Sequence, residues 1–144
     1  MLLVIVIATA LLLATIVVHG AAVMLLYNCG ARPLGNAGNL SPLSRLGWSY
    51  FFVLGFVVAH LIEIMIWALA YRLTGELQDL EEAIYFSAIT FATIGYGDVT
   101  LVGKWRLASA LEGVNGILLF GWTTAFLFKV SAVLWFGQAT TDDS

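Results

Sequence analysis

Thr93-Ile94-Gly95-Tyr96-Gly97-Asp98 places two glycines around an aromatic residue, with a hydroxyl ahead of them and a carboxylate directly after. Glycine takes positive φ at no steric cost, so Gly95 and Gly97 let the backbone follow a course that no ordinary strand or helix allows. On such a course the carbonyl oxygens can all point inward. A ring of backbone carbonyls can replace the water around a dehydrated cation. Thr93, Ile94, Gly95, Tyr96 and Gly97 would supply those oxygens, and the Thr93 hydroxyl adds a ligand below its own carbonyl. Tyr96 is expected to point away from the axis and pack outward, holding the ring's diameter. Asp98 would sit at the outer mouth, where a carboxylate draws in cations. One chain supplies one strand of carbonyls, so a ring requires an oligomer. A bare glycine–tyrosine–glycine is also an ordinary turn, and the weight rests on the whole six-residue stretch and its setting.

That setting is apolar. Of 144 residues, 61% are hydrophobic and 10% charged, which a water-soluble fold of this size could not conceal. Three runs are long enough to cross a bilayer, which takes about 20 residues: Leu2 to Tyr27, Trp48 to Tyr71 and Leu107 to Phe136. The first has no basic residue before it and is longer than a signal core, so it reads as a retained helix. Residues 28–47, with Gly, Pro and Asn and the charges Arg32 and Arg45, read as a linker. By the positive-inside rule this linker is cytoplasmic, and the acidic stretch around Glu76, Asp79, Glu81 and Glu82 faces out. The amino terminus is then expected outside, with the carboxyl terminus and the short tail 137–144 inside, in the cell membrane. Residues 81–92 read as a helix of about 18 Å, half the membrane. Glu81 and Glu82 suit its dipole at the start. Its other end would aim partial negative charge at the centre of a pore. Re-entrant backbone at membrane depth is tolerated only when buried in protein or lining water, which again asks for a multimer. The fold class expected is an all-α membrane protein, with three transmembrane helices, a re-entrant pore helix and a filter loop.

Net charge is −3 and the chain has one cysteine, Cys29. No nucleic-acid partner, cysteine metal site, nucleotide loop, catalytic triad or soluble substrate is indicated. Neither an enzyme activity nor a cofactor is expected.

The stretch Thr93–Asp98, in this setting, resembles the selectivity filter of potassium channels. Residues 48–136 resemble the pore module of that superfamily, and most resemble its small bacterial two-pore-domain-like (ion channel 2) group, here with an extra amino-terminal helix. The resemblance implies potassium as the permeant ion, bound at Thr93, Ile94, Gly95 and Tyr96, and a homotetramer in lipid. It also implies a glycine hinge at Gly116, in Gly116-Ile117-Leu118-Leu119-Phe120-Gly121, and a hydrogen bond from Tyr85 to Asp98. Simple packing of Tyr85 on Tyr96 is the competing reading. The chain departs from many members in lacking a proline soon after Asp98 and tryptophans in the pore helix.

Ile117, Phe120, Thr124 and Phe128 recur at helical spacing and form one stripe. In a tetramer that stripe would line the cavity and gate; otherwise it packs on the outer helix. Gly116 could equally serve close packing. Asn115 beside it faces either the cavity or, in the favoured reading, a neighbouring helix. His60, Glu63 and Glu112 are ionisable groups within the spans, and such groups face the protein interior. They are expected to cluster behind the pore helix and brace the filter, as a static anchor or as a pH-coupled one; a metal site is disfavoured. His19, alone in the first span, reads as satisfied or interface-facing. No span carries the repeated arginines of a voltage sensor, and the few residues after the last span suggest no ligand domain. The competing functions are a nonselective cation channel, a potassium transporter subunit and a non-conducting scaffold.

Overall fold

A computed structural model describes residues 1–137. Every regular element among them is helical: α1 (Leu2–Gly35), α2 (Pro42–Leu73), α3 (Leu80–Phe91) and α4 (Arg106–Ser131), the last continued by a wider π turn over Ala132–Phe136. Short 3-10 turns at Ala37–Asn39 and Gly103–Trp105 complete the order. Helices α1, α2 and the stretch Gly103–Phe136 are each long and apolar enough to cross a membrane, so the chain is a multi-pass membrane protein. Helix α3 has 12 residues and spans about 18 Å, too little to cross.

The expected linker over residues 28–47 is mostly helix. Helix α1 continues to Gly35 through Pro33, and α2 already starts at Pro42. Packing overrides the composition here. A Cβ on Gly30 would collide with the Phe52 ring, and one on Gly55 with the Leu26 side chain, so the two helices are in close contact well past Tyr27. The break is confined to residues 36–41. The Ser41 hydroxyl accepts the Ser44 N–H at 3.2 Å, and Pro42 follows at the first helical position, both strong start signals. Of the expected tail, only Gly137 falls within the described residues.

The interior has two apolar clusters. One gathers Val4, Ala8, Trp67, Tyr71, Phe86, Phe91 and Leu119; the other gathers Leu26, Phe52, Phe56, Val130 and Leu134. Between them along α1, α2 and α4 lie buried polar groups: Thr15, His19, Glu63 and Thr123. Lipid tails are as apolar as leucine, so side-chain hydrogen bonds and close contacts at glycine hold such helices together. This polar belt is the middle tier of the fold.

Candidate functional site

Helix α3 delivers the Thr93–Asp98 segment. Asp79 caps its start by accepting the Glu82 N–H at 3.1 Å. At its other end the Thr93 N–H donates to the Thr90 carbonyl at 2.9 Å. The Ile94 and Gly95 N–H groups both donate to the Ile89 carbonyl, at 2.8 and 3.1 Å. The segment is thereby tied to the last turn of the helix. Its φ angles are +58° at Thr93, +54° at Gly95 and +82° at Gly97, while Ile94 and Tyr96 between them stay out of the left-handed region. Positive φ at a β-branched residue is rare. It costs on the order of 1–3 kcal/mol and persists only where the surroundings over-determine it. The bonds to Thr90 and Ile89 are those surroundings. The strain at Thr93 carries no composition signal, because threonine ordinarily avoids this conformation.

At the far end of the segment the Tyr85 hydroxyl donates to the Asp98 carboxylate at 2.6 Å, the bond expected from the sequence. The bond from Tyr85 holds the Asp98 carboxyl below the usual carboxylate range, and the same bond pushes the Tyr85 phenol up. Tyr96 is 71% exposed on the single chain.

Helix α4 closes against α3 at Gly116. A Cβ there would overlap the Phe91 carbonyl oxygen and lie 2.8 Å from its carbon. Close approach of two backbones therefore requires a glycine here, as the packing reading expects. Ile117, Thr124 and Phe128 of the stripe are exposed rather than packed on α2, and Phe120 is 37% exposed. Phe120 alone makes inward ring contacts, with His60 at 4.5 Å and Phe91 at 5.6 Å between centroids. Asn115 turns away from that stripe: its amide donates to the Thr15 hydroxyl of α1 at 2.6 Å.

The three ionisable groups expected to form one cluster separate into two. Glu112 is fully buried. It accepts the Tyr71 hydroxyl at 2.7 Å and lies 2.5 Å from the Ser87 hydroxyl, which is also 2.9 Å from the Ile64 carbonyl. This group joins α2, α3 and α4. Glu63 lies elsewhere. Tyr71 is about two helical turns, or 12 Å, further along α2, and it is Tyr71 that reaches Glu112. The carboxylate of Glu63 instead meets His60 Nδ1 at 2.8 Å and His19 Nδ1 at 2.9 Å.

His19 is therefore a fully buried member of the second cluster, which the sequence reading missed together with Thr123, Ser87 and Tyr71. One signal was present: Thr15 and His19, four apart, put two polar groups on one face of an otherwise apolar helix. Among the described residues His19, His60 and Glu63 bring ligand-type atoms within 4.8 Å of one another.

No curated protein and no solved structure matches the chain. A family described as ion channels matches residues 59–132, a stretch that runs from the middle of α2 through α3 and the Thr93–Asp98 segment into α4. This is more than half of the 144 residues, and the chain belongs to that ion channel family.

Proposed function

We propose that this chain is one protomer of a homotetrameric, potassium-selective channel in the cell membrane, passing ions passively, with its amino terminus outside. The observation that carries the reading is the alternating backbone hand at Thr93, Gly95 and Gly97. In a strand successive residues face opposite sides. When residues of right- and left-handed conformation alternate, successive peptide groups turn the same way, and their oxygens form one file. Four such files around an axis would give stacked oxygen rings of the kind that strip water from potassium. The 12-residue helix α3 ends at the base of that file, so the negative end of its dipole would favour a cation in the centre. The exposure of Tyr96 supports an assembly in which a neighbouring protomer covers it. Asp98, kept ionised by Tyr85, would hold negative charge at the mouth. Ile117, Phe120, Thr124 and Phe128 would line the cavity below, where apolar constrictions can gate by dewetting.

The test is flux through purified protein in liposomes, under a potassium gradient and then a sodium gradient. Potassium flux without sodium flux is expected. It should be lost in Gly95→Ala, because an alanine held at this φ of +54° carries a strain of about 1–2 kcal/mol. No neighbour lies within 4 Å of the added carbon, so the loss would be conformational. Equal flux of both ions would replace the reading with a nonselective channel. Absence of flux at every pH would overturn it.

A further inference from the structure

Four side chains from three helices close a ring inside the membrane region. Glu63 of α2 meets Nδ1 of His19 at 2.9 Å and Nδ1 of His60 at 2.8 Å. On the other side of both imidazoles, the Thr123 hydroxyl of α4 meets Nε2 of His60 at 3.1 Å and Nε2 of His19 at 3.4 Å. His19 and Glu63 are fully buried and His60 is 12% exposed.

Each contact is a hydrogen bond only if one of its two atoms carries the hydrogen. A neutral imidazole brings one hydrogen, a threonine hydroxyl one, and an ionised carboxylate none. With Glu63 ionised and both histidines neutral, the ring has three hydrogens for four contacts. One nitrogen lone pair would then face an oxygen lone pair in a buried site, where an unmade bond is costly. A single added proton completes the ring, whether it resides on an imidazole or on the carboxyl group. The same proton takes the formal charge of the ring from −1 to zero, and an uncompensated charge is expensive at membrane depth.

We propose that His19, His60, Glu63 and Thr123 form a site that binds one proton, and that this proton fastens α1 to the pore module. The surroundings agree with a neutral occupant. His19 packs on Phe56 of α2 and Trp122 of α4; His60 packs on Phe91 of α3 and Phe120 of α4. None of these titrates, and Glu112, on the α4 face, is engaged with Tyr71 and Ser87. A divalent metal against the single carboxylate would leave the ring at +1, with no second carboxylate to offset it among the described residues that meet it. The site also reaches the stripe on α4, because the His60 ring lies 4.5 Å from that of Phe120. Release of the proton breaks one contact of the ring beside that side chain. The site stands whichever ion the channel passes.

The chain has two histidines, which makes the test direct. Protein with ¹⁵N-labelled histidine in lipid bilayers is titrated from acid to alkaline pH, following the four ring nitrogens by NMR. One proton should leave in one step, shifting the resonances of both rings at a common midpoint. Thr123→Val removes the hydroxyl with little change of shape. Without its two contacts only those to Glu63 remain, which the Nδ1 hydrogens of two neutral imidazoles already satisfy, so the midpoint should fall by about one to two pH units, the strength of a hydrogen bond to a charged group. Two independent midpoints, an unchanged midpoint in Thr123→Val, or stoichiometric metal in the purified protein by elemental analysis would each overturn the proposal.

Discussion

Gly116 offers the sharpest separation of two physical roles, because they predict opposite signs of one measurement. If the glycine is there to let α4 bend, Gly116→Ala should stiffen and stabilise the helix, by about 1 kcal/mol of helix propensity. If it is there so that α4 can touch the end of α3, the new methyl group must displace the Phe91 backbone, whose carbonyl oxygen it would overlap. A backbone carbonyl cannot move aside by changing rotamer. Overpacking of this kind costs about 1–3 kcal/mol, occasionally more, and a rigid obstacle belongs at the upper end. Set against the propensity gain, the net loss is about 2 kcal/mol. Two other glycines calibrate the scale. Gly121 lies on the same helix with nothing within 4 Å of a Cβ, so Gly121→Ala should show the propensity gain alone. At Gly55 the obstacle is the end of the Leu26 side chain, which can rotate, so Gly55→Ala should fall between the two. Thermal melting of the purified protein, followed by tryptophan fluorescence, should rank Gly121→Ala at or above the parent, Gly55→Ala next and Gly116→Ala last. A Gly116→Ala protein that melts as high as Gly121→Ala would refute the packing argument and restore the hinge.

The other predictions concern single bonds. Glu112→Gln should retain stability, since an amide can accept from Tyr71 and donate to Ser87, whereas Glu112→Ala strands the buried Tyr71 hydroxyl, Ser87 keeping the Ile64 carbonyl, and should cost about 1–3 kcal/mol, read by the same melting assay. Tyr85→Phe removes the donor that depresses the Asp98 carboxyl. A carboxyl with a lowered pKa keeps its charge above that value and loses it as pH falls through it. The acidic decline of cation flux should therefore move to higher pH in Tyr85→Phe; an unmoved profile would mean that Asp98 does not govern entry.

The irregular backbone of Thr93–Asp98 was legible at Gly95 and Gly97, because glycine advertises backbone conformation directly. The spans were legible from length and apolarity. The bond from Tyr85 to Asp98 was legible through resemblance. What escaped reading was tertiary. Gly30 and Pro33 look like linker residues until Phe52 is seen against Gly30. Glu63 and Glu112 look like neighbours by depth until Tyr71 and Ser87 claim Glu112. His19 looks alone because its partners are 44 and 104 residues away, and no local pattern encodes pairings that distant.

These pairings give α1 a role that its position outside residues 59–132 does not suggest. It supplies Thr15 to Asn115 and His19 to Glu63, so without it the pore module would turn polar groups to lipid. The Thr15–Asn115 bond tests this by asymmetry. The Thr15 hydroxyl also bonds the Leu11 and Leu12 carbonyls of its own helix at 3.1 and 2.9 Å, so Asn115→Leu leaves threonine satisfied. Asn115 has no such reserve: its Oδ1 already lacks a partner, and Thr15→Val takes away the acceptor of its amide. Thr15→Val should thus cost about 1–3 kcal/mol for the stranded buried amide. Asn115→Leu should cost less. The double variant should recover most of the Thr15→Val loss, because replacing both partners by apolar groups is nearly neutral. Melting temperatures of the three variants decide it. If the two losses simply add, the residues do not interact, and α1 is attached to the pore module by something other than this belt.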